Sequence, residues 1–355
     1  MDFARRIERL RAQLGRLEAD AFLSTSSPNV RYLTGFTGSN GQALLSAERG
    51  AFFTDGRYER QAAHEVPDLE RFVYPAEFAV AFAEVCRQLG LSRVAFEAED
   101  VTVSTHEAMG KGGVDLVPTR QVVEKLRWVK ESAERALLGE AQAIADRTFD
   151  EITGRLRVGI TERELALDID TTMRRRGADA VSFETIVAFG ENAAEPHHAP
   201  GDRSLRRGDM VKMDFGALMG GYHSDMTRTV AFGEPSGELR DVYEIVRRAQ
   251  QAGIDAIREG ATGGVVDDAS RTVIREAGFD RAFKHGLGHG VGLQIHEGPS
   301  LRRGGADVLP KGAVVTVEPG IYLDGVGGVR IEDMIEVLSD GAAPIPTAPR
   351  ELIVL

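Results

Sequence analysis

Acidic side chains stand inside apolar, strand-like runs four times in the C-terminal half of this chain. They are Asp214 in VKMDFGAL, Asp225 in YHSDMTRTV, Glu318 at the end of GAVVTVEPG and Glu332 in GGVRIEDMIEVL. A carboxylate in such a run is costly to bury unless a cation, a proton or hydrogen-bond donors meet it. A fold for this chain must turn these groups to solvent or bring them to a shared partner. The histidines are placed as unevenly, with six of the eight between residues 197 and 296. Three of them, His285, His289 and His296, share the segment HGLGHGVGLQIHEGP with glycines at 286, 288, 290 and 292. Glycine at such density marks close backbone approach.

The remainder of the chain reads as two domains. Residues 2–18 carry Phe3, Ile7, Leu10, Leu14 and Leu17 on one helical face. Short strands are expected at Ala21–Thr25, Gln42–Ser46, Ala51–Thr54 and Arg93–Phe96, with a helix at Ala79–Leu89 and turns around Gly35–Gly41. This alternation predicts a small α/β domain over residues 1–130. The charged stretch LRWVKESAE then opens a second domain over residues 131–355, with Ser132 read as the N-cap of a long helix. Thr161 and Glu164 form a capping-box pattern for the next helix. Strands Met210–Phe215 and Tyr222–Val230 flank Gly220-Gly221, a hairpin signal. Helices at Leu239–Ile257 and Val265–Ala277 precede strands Ala313–Val317 and Val329–Val337. The order helix, helix, strands thus occurs twice.

Composition removes several classes of function. No apolar run approaches the ~18–20 residues that span a bilayer. The first twenty residues lack the apolar core of a signal peptide, and Cys86 is the sole cysteine, so a cytoplasmic protein without disulfides is expected. A formal net charge of −12 with no Lys/Arg-rich run argues against nucleic-acid binding.

Each carboxylate has a plain reading beside a chemical one. The hairpin places Asp214 and Asp225 on neighbouring strands, where two bare carboxylates repel unless a cation or proton lies between them. One could equally pair with Arg228 or face solvent. Glu318 lies on the face of Thr316 and Val314 and precedes Pro-Gly, a poor setting for a surface residue. Glu332 shares a strand face with Arg330, and a simple ion pair would explain it. Together, four carboxylates and one imidazole suit Mn²⁺, Co²⁺ or Zn²⁺ in a paired site better than a thiolate site. Two ions so held lower the pKa of a shared water.

The order and surroundings of these residues resemble the pita-bread metallopeptidases: methionine aminopeptidase, aminopeptidase P and prolidase. DFGALMGGYHSDMTRT, GLGHGVGLQIHEGP, VEPGIY and GGVRIED are each similar to the corresponding family blocks. The resemblance implies a creatinase-like α/β N-terminal domain followed by an α+β pita-bread catalytic domain. SSPNVRYLTGFTGSNG and FFTDGRYERQA are similar to the N-terminal domains of aminopeptidase P and prolidase. Creatinase shares the architecture but lacks the ligand set that is intact here.

The same resemblance implies roles. Asp214 and Glu332 would bridge two divalent ions, most simply Mn²⁺, with Asp225 on one ion and His289 and Glu318 on the other. His197 would face the substrate, His296 would steady the tetrahedral intermediate, and His285 would be a further active-site histidine. Glu318 would shuttle the proton, and Arg330 would orient a carboxylate. His198, beside His197, reads as loop surface. The expected reaction is release of the N-terminal residue from small peptides with proline second, by an Xaa-Pro aminopeptidase working as a homodimer. Prolidase, which cleaves Xaa-Pro dipeptides, is the alternative. It must hold the proline carboxylate, and many prolidases carry an arginine where this chain has Ser300, although Arg302 and Arg303 follow closely. A peptide-binding module without catalysis is the third reading, and the complete ligand set argues against it.

Overall fold

The apolar stripe at the N-terminus turns inward over two helices rather than one. In the computed structural model, which describes residues 1–355, these are Phe3–Arg11 and Leu14–Leu17. Asp2 caps the first by accepting from the Arg5 amide, and Ile7, Leu10 and Leu14 are buried. They belong to the first of two compact units, Met1–Arg127 and Trp128–Leu355.

A six-stranded mixed sheet runs through the first unit, in the spatial order Glu70–Val73, Gly50–Thr54, Gly41–Ser46, Ala21–Ser24, Arg93–Glu97 and Asp115–Thr119. Its core packs Leu23, Leu44, Phe53, Val94 and Phe96 against Phe82, Val85 and Met109. Several elements carry little periodic signal. Glu70–Val73 is largely exposed, so no apolar alternation marks it. Helix Ser27–Thr34 fills the interval between the expected strand at Ala21–Thr25 and the turns around Gly35–Gly41: Pro28 stands in its first turn, and Gly35, at φ +81°, ends it.

In the second unit, helix Ser132–Thr153 begins one residue before the expected boundary. Glu131, not Ser132, is the N-cap and forms a capping box with Glu134. The Thr161–Glu164 capping box opens helix Glu162–Arg175 as expected. These two helices pack Ile144, Phe149, Leu165 and Ile169 against Val187, Val211, Met213 and Phe215 of the sheet Met226–Phe232, Asp209–Phe215, Ile186–Phe189. Helices Gly237–Ala256 and Gly263–Glu276 form the corresponding layer, burying Val242, Val246 and Ile274 with Val315, Val317, Val329 and Ile335. Each half is a helix pair on its own strands, the α+β pita-bread arrangement.

Two register details differ from the sequence expectation and shape the site. Asp214 pairs with Thr227, not Asp225. The hairpin breaks at Gly216, where a β-carbon would lie 1.8 Å from the Ser224 carbonyl oxygen, so Asp225 falls between strands Tyr222–His223 and Met226–Phe232. Likewise Val329–Val337 is not one strand. Gly327–Arg330 and Asp333–Val337 belong to different sheets, and Glu332 stands at the junction. No helix is long and apolar enough to cross a membrane.

Candidate metal centre

The breaks in the two strands aim side chains into one cavity of about 570 Å³. Asp214, Asp225, His289, Glu318 and Glu332 line it, together with His197, His285, His296 and Arg330. Every site residue singled out in the sequence therefore borders this one space. Its tightest grouping is Asp225, His289 and Glu332, whose ligand atoms lie within 4.8 Å of one another. His289 Nε2 is 3.6 Å from Asp225 Oδ2 and 3.4 Å from Glu318 Oε1.

The surrounding hydrogen bonds are not those the sequence suggests. Arg330 does not pair with Glu332; its Nη2 donates to Asp214 Oδ2 at 2.5 Å. Glu332 instead accepts from the Thr227 hydroxyl at 2.7 Å. Nor does Arg228 meet Asp214 or Asp225. It is buried against Asp333 at 2.7 Å and donates to the carbonyls of Glu332, Ala348 and Pro349, fixing the backbone that presents Glu332. Thr316 donates to Glu318 at 3.2 Å, in keeping with their shared strand face.

Burial drives the carboxyls of Asp225 and Glu332 well above the ordinary range, and the neighbouring carboxylates push them further. Burial likewise pushes Glu318 up to about 8. The His289 imidazole is pulled down to about 4 by burial and by the His296 ring, 4.3 Å away between centroids. His285 falls to about 4 through burial and the charge of Arg330; its Nε2 lies 2.8 Å from the Tyr322 hydroxyl. A neutral imidazole beside carboxyls that resist ionisation is a set of ligands short of positive charge. Asp214 Oδ1 is buried with no hydrogen-bond partner.

Residues 136–339 match metallopeptidase family M24, and residues 6–129 match the Creatinase/Prolidase N-terminal domain. The chain belongs to metallopeptidase family M24. Among solved M24-like structures, an Xaa-Pro dipeptidase from Bacillus anthracis is 40% identical with a TM-score of 0.97, covering 99% of this chain and 100% of that one. An X-Pro aminopeptidase from Thermotoga maritima MSB8 is 36% identical with a TM-score of 0.89, covering 97% and 100%. The Xaa-Pro dipeptidase of Pyrococcus horikoshii is 33% identical over 337 residues, 94% of each chain. Membership of M24 makes the chain a hydrolase of the metallopeptidase class and implies divalent metal ions. The donor set fits them: oxygen-rich, one imidazole, an orphaned carboxylate oxygen, and pKa shifts that a cation would relieve.

Three further residues, Tyr322, His198 and Lys212, are hydrogen-bonded to residues that line this cavity or to the segment that carries His197. Tyr322 accepts from Arg330 Nη1 at 2.9 Å and contacts His285, linking the two. His198 is not loop surface: it lies 2.9 Å from Glu162 and 2.6 Å from Glu195. Burial opposes its charged form, but these two carboxylates outweigh it and raise its pKa. Lys212, fully buried, donates to three backbone carbonyls. Burial and the Arg330 charge pull its pKa down to about 6. The three acceptors favour the ammonium form, because a neutral amine has only two N–H donors. Lys212 and Asp214 sit two apart on one strand face.

Proposed function

We propose that this chain is an Xaa-Pro dipeptidase, hydrolysing the bond between the first residue and a C-terminal proline. The observation that carries this is Arg302. It lines the cavity beside the carboxylate–histidine cluster, is exposed, and has no carboxylate partner, whereas Arg303 pairs with Asp280 at 3.1 Å. A dipeptide presents its C-terminal carboxylate within one residue of the scissile bond, and a guanidinium is the group suited to it. Sequence reading placed aminopeptidase P first because Ser300 stands where many prolidases have arginine. Ser300, however, is engaged by Asp307: its amide and hydroxyl donate to that carboxylate at 3.0 and 3.1 Å. Arg302, two residues on and beyond the end of the same strand, lines the same cavity and can take the carboxylate instead. Two of the three similar proteins described above are named dipeptidases.

In this reading Asp214, Asp225, His289, Glu318 and Glu332 hold two divalent ions, with Mn²⁺ the first choice. When bound, such ions polarise the substrate carbonyl and supply a water that ionises near neutral pH. Arg330 orients Asp214, and Thr227 orients Glu332. His197 and His296, both exposed at the cavity, donate to the carbonyl oxygen as negative charge gathers on it. His285, held by Tyr322, steadies the same side of the pocket. Glu318 takes the proton from water and delivers it to the proline nitrogen as the C–N bond breaks. An amine nitrogen is too basic to leave as an anion, so the proline nitrogen departs as the new C–O bond is kept and that proton is delivered.

Aminopeptidase P is the second reading, favoured by the likeness to the X-Pro aminopeptidase of Thermotoga maritima. Rates on an Xaa-Pro dipeptide and on the same pair extended by one residue separate the two. A homodimer in the cytoplasm is part of the proposal, and sedimentation of the purified chain tests its stoichiometry.

A further inference from the structure

The segment that carries His197 has little regular structure of its own. It follows the short 3-10 turn Gly190–Ala194 and runs through Pro196 to Gly201. His197 itself is exposed and neighbours a second histidine that is tied elsewhere. A catalytic contact from such a segment requires that its backbone be fixed.

The fixing comes from two buried basic side chains, Lys212 on the strand that bears Asp214 and Arg330 at the end of strand Gly327–Arg330. Lys212 Nζ donates to the carbonyls of Ala193 at 3.2 Å, Glu195 at 2.5 Å and Pro196 at 3.4 Å. Arg330 Nη1 donates to the same Pro196 carbonyl at 3.1 Å while its Nη2 holds Asp214. Lys212 also lies over the Tyr322 ring, 5.3 Å from its centroid. The turn rests directly on backbone: a β-carbon at Gly328 would lie 2.2 Å from the Ala193 carbonyl oxygen. On the other side Glu162, fully buried, accepts from the Phe189 and Gly201 amides and from Asn192. One side chain thus ties together the three carbonyls that lead into His197 while satisfying its own buried donors.

We propose that Lys212 is a positioning residue for the reaction: by gathering the carbonyls of residues 193, 195 and 196, it sets the distance between His197 and the strand face that bears Asp214. The inference rests on the substrate-facing role given to His197 above. Its geometry joins the two halves of the chemistry, carbonyl stabilisation and the carboxylate cluster, through one strand, Asp209–Phe215. Lys212 touches neither substrate nor metal ligand in this account, so its effect must pass through His197.

A double-mutant cycle tests this. Wild type, Lys212→Met, His197→Ala and the double variant are loaded with Mn²⁺ and assayed on one Xaa-Pro dipeptide, with metal content measured on the same samples. Lys212→Met is expected to lower kcat/KM by about 10–100-fold, the scale of a misplacement near 1 Å, with metal content unchanged. In the His197→Ala background the same substitution is expected to cost less than about threefold, the two losses being non-additive. Equal losses in both backgrounds, or a loss that tracks metal content, would overturn the inference. Full activity in His197→Ala would instead overturn the role of His197 on which it rests. Should Lys212→Met not fold, Lys212→Gln, whose shorter side chain and two N–H donors cannot gather all three carbonyls, completes the cycle with the same decisive comparison.

Discussion

Arg330 grips one oxygen of Asp214 at 2.5 Å and leaves the other, Oδ1, buried without a protein partner. Its Nε and Nη1 donate elsewhere, to Thr227, Tyr322 and Pro196, so Nη2 alone is turned to Asp214. A half-satisfied buried carboxylate is stable only beside further positive charge. Asp214 lines the same cavity as Asp225, His289 and Glu332.

Arg330 should therefore matter to metal binding without being a ligand. Replacing it by Gln should weaken Mn²⁺ affinity by about 10–100-fold, the usual scale for groups that orient ligands. Titration calorimetry on chelator-stripped protein reads this. Dialysis against a chelator should abolish activity and lower the thermal midpoint, and added Mn²⁺ should restore both.

Arg302→Ala should raise KM for an Xaa-Pro dipeptide by about 10–100-fold, from the loss of a charge-assisted hydrogen bond, and change kcat less. The same dipeptide with an amidated C-terminus should be cut equally poorly by wild type and variant. If the free-acid dipeptide loses nothing, Arg302 is not the carboxylate anchor.

Gly216→Ala should destabilise the chain by about 1–3 kcal/mol or prevent folding, because the new methyl would meet the Ser224 carbonyl oxygen. In any protein that does fold, the neighbouring Asp225 shifts, so bound metal should fall together with the unfolding midpoint.

The N-terminal unit should carry its own pH dependence through Glu97. Burial pushes its pKa up to about 7, against hydrogen bonds from Ser26, Thr25, Asn29 and Ser24. A carboxyl with a raised folded-state pKa binds more protons folded than unfolded between its two pKa values. Its contribution is thus full below about pH 4.5 and is lost as pH rises towards 7. In urea titrations, wild type should lose stability relative to Glu97→Gln between pH 5 and pH 8, on the order of 2–3 kcal/mol. A difference that stays flat with pH would contradict the assignment.

Much of the second unit was readable because its chemistry is local in sequence. Asp214, His289 and Glu318 each sit in a short block whose apolar run or glycines make the side chain conspicuous. The capping box at Thr161 was visible for the same reason. What pairs with what was not readable. Arg330 belongs to Asp214, 116 residues away, rather than to Glu332 two residues on, because the strand breaks at residues 331 and 332. Nothing in the strand around Lys212 points to its three acceptors, which lie on a segment with no periodicity. In the first unit, strand Glu70–Val73 and helix Val103–Gly110 show almost no buried face, so alternation could not reveal them. Ser300 was opaque for a related reason: its sequence position says nothing of Asp307, to which its hydroxyl donates.

The central claim is tested most directly by kcat/KM for an Xaa-Pro dipeptide against the same pair extended by one residue, both with Mn²⁺-loaded protein. The account predicts faster cleavage of the dipeptide, with that preference lost in Arg302→Ala. Cleavage of the extended peptide alone would contradict it and make the chain an aminopeptidase.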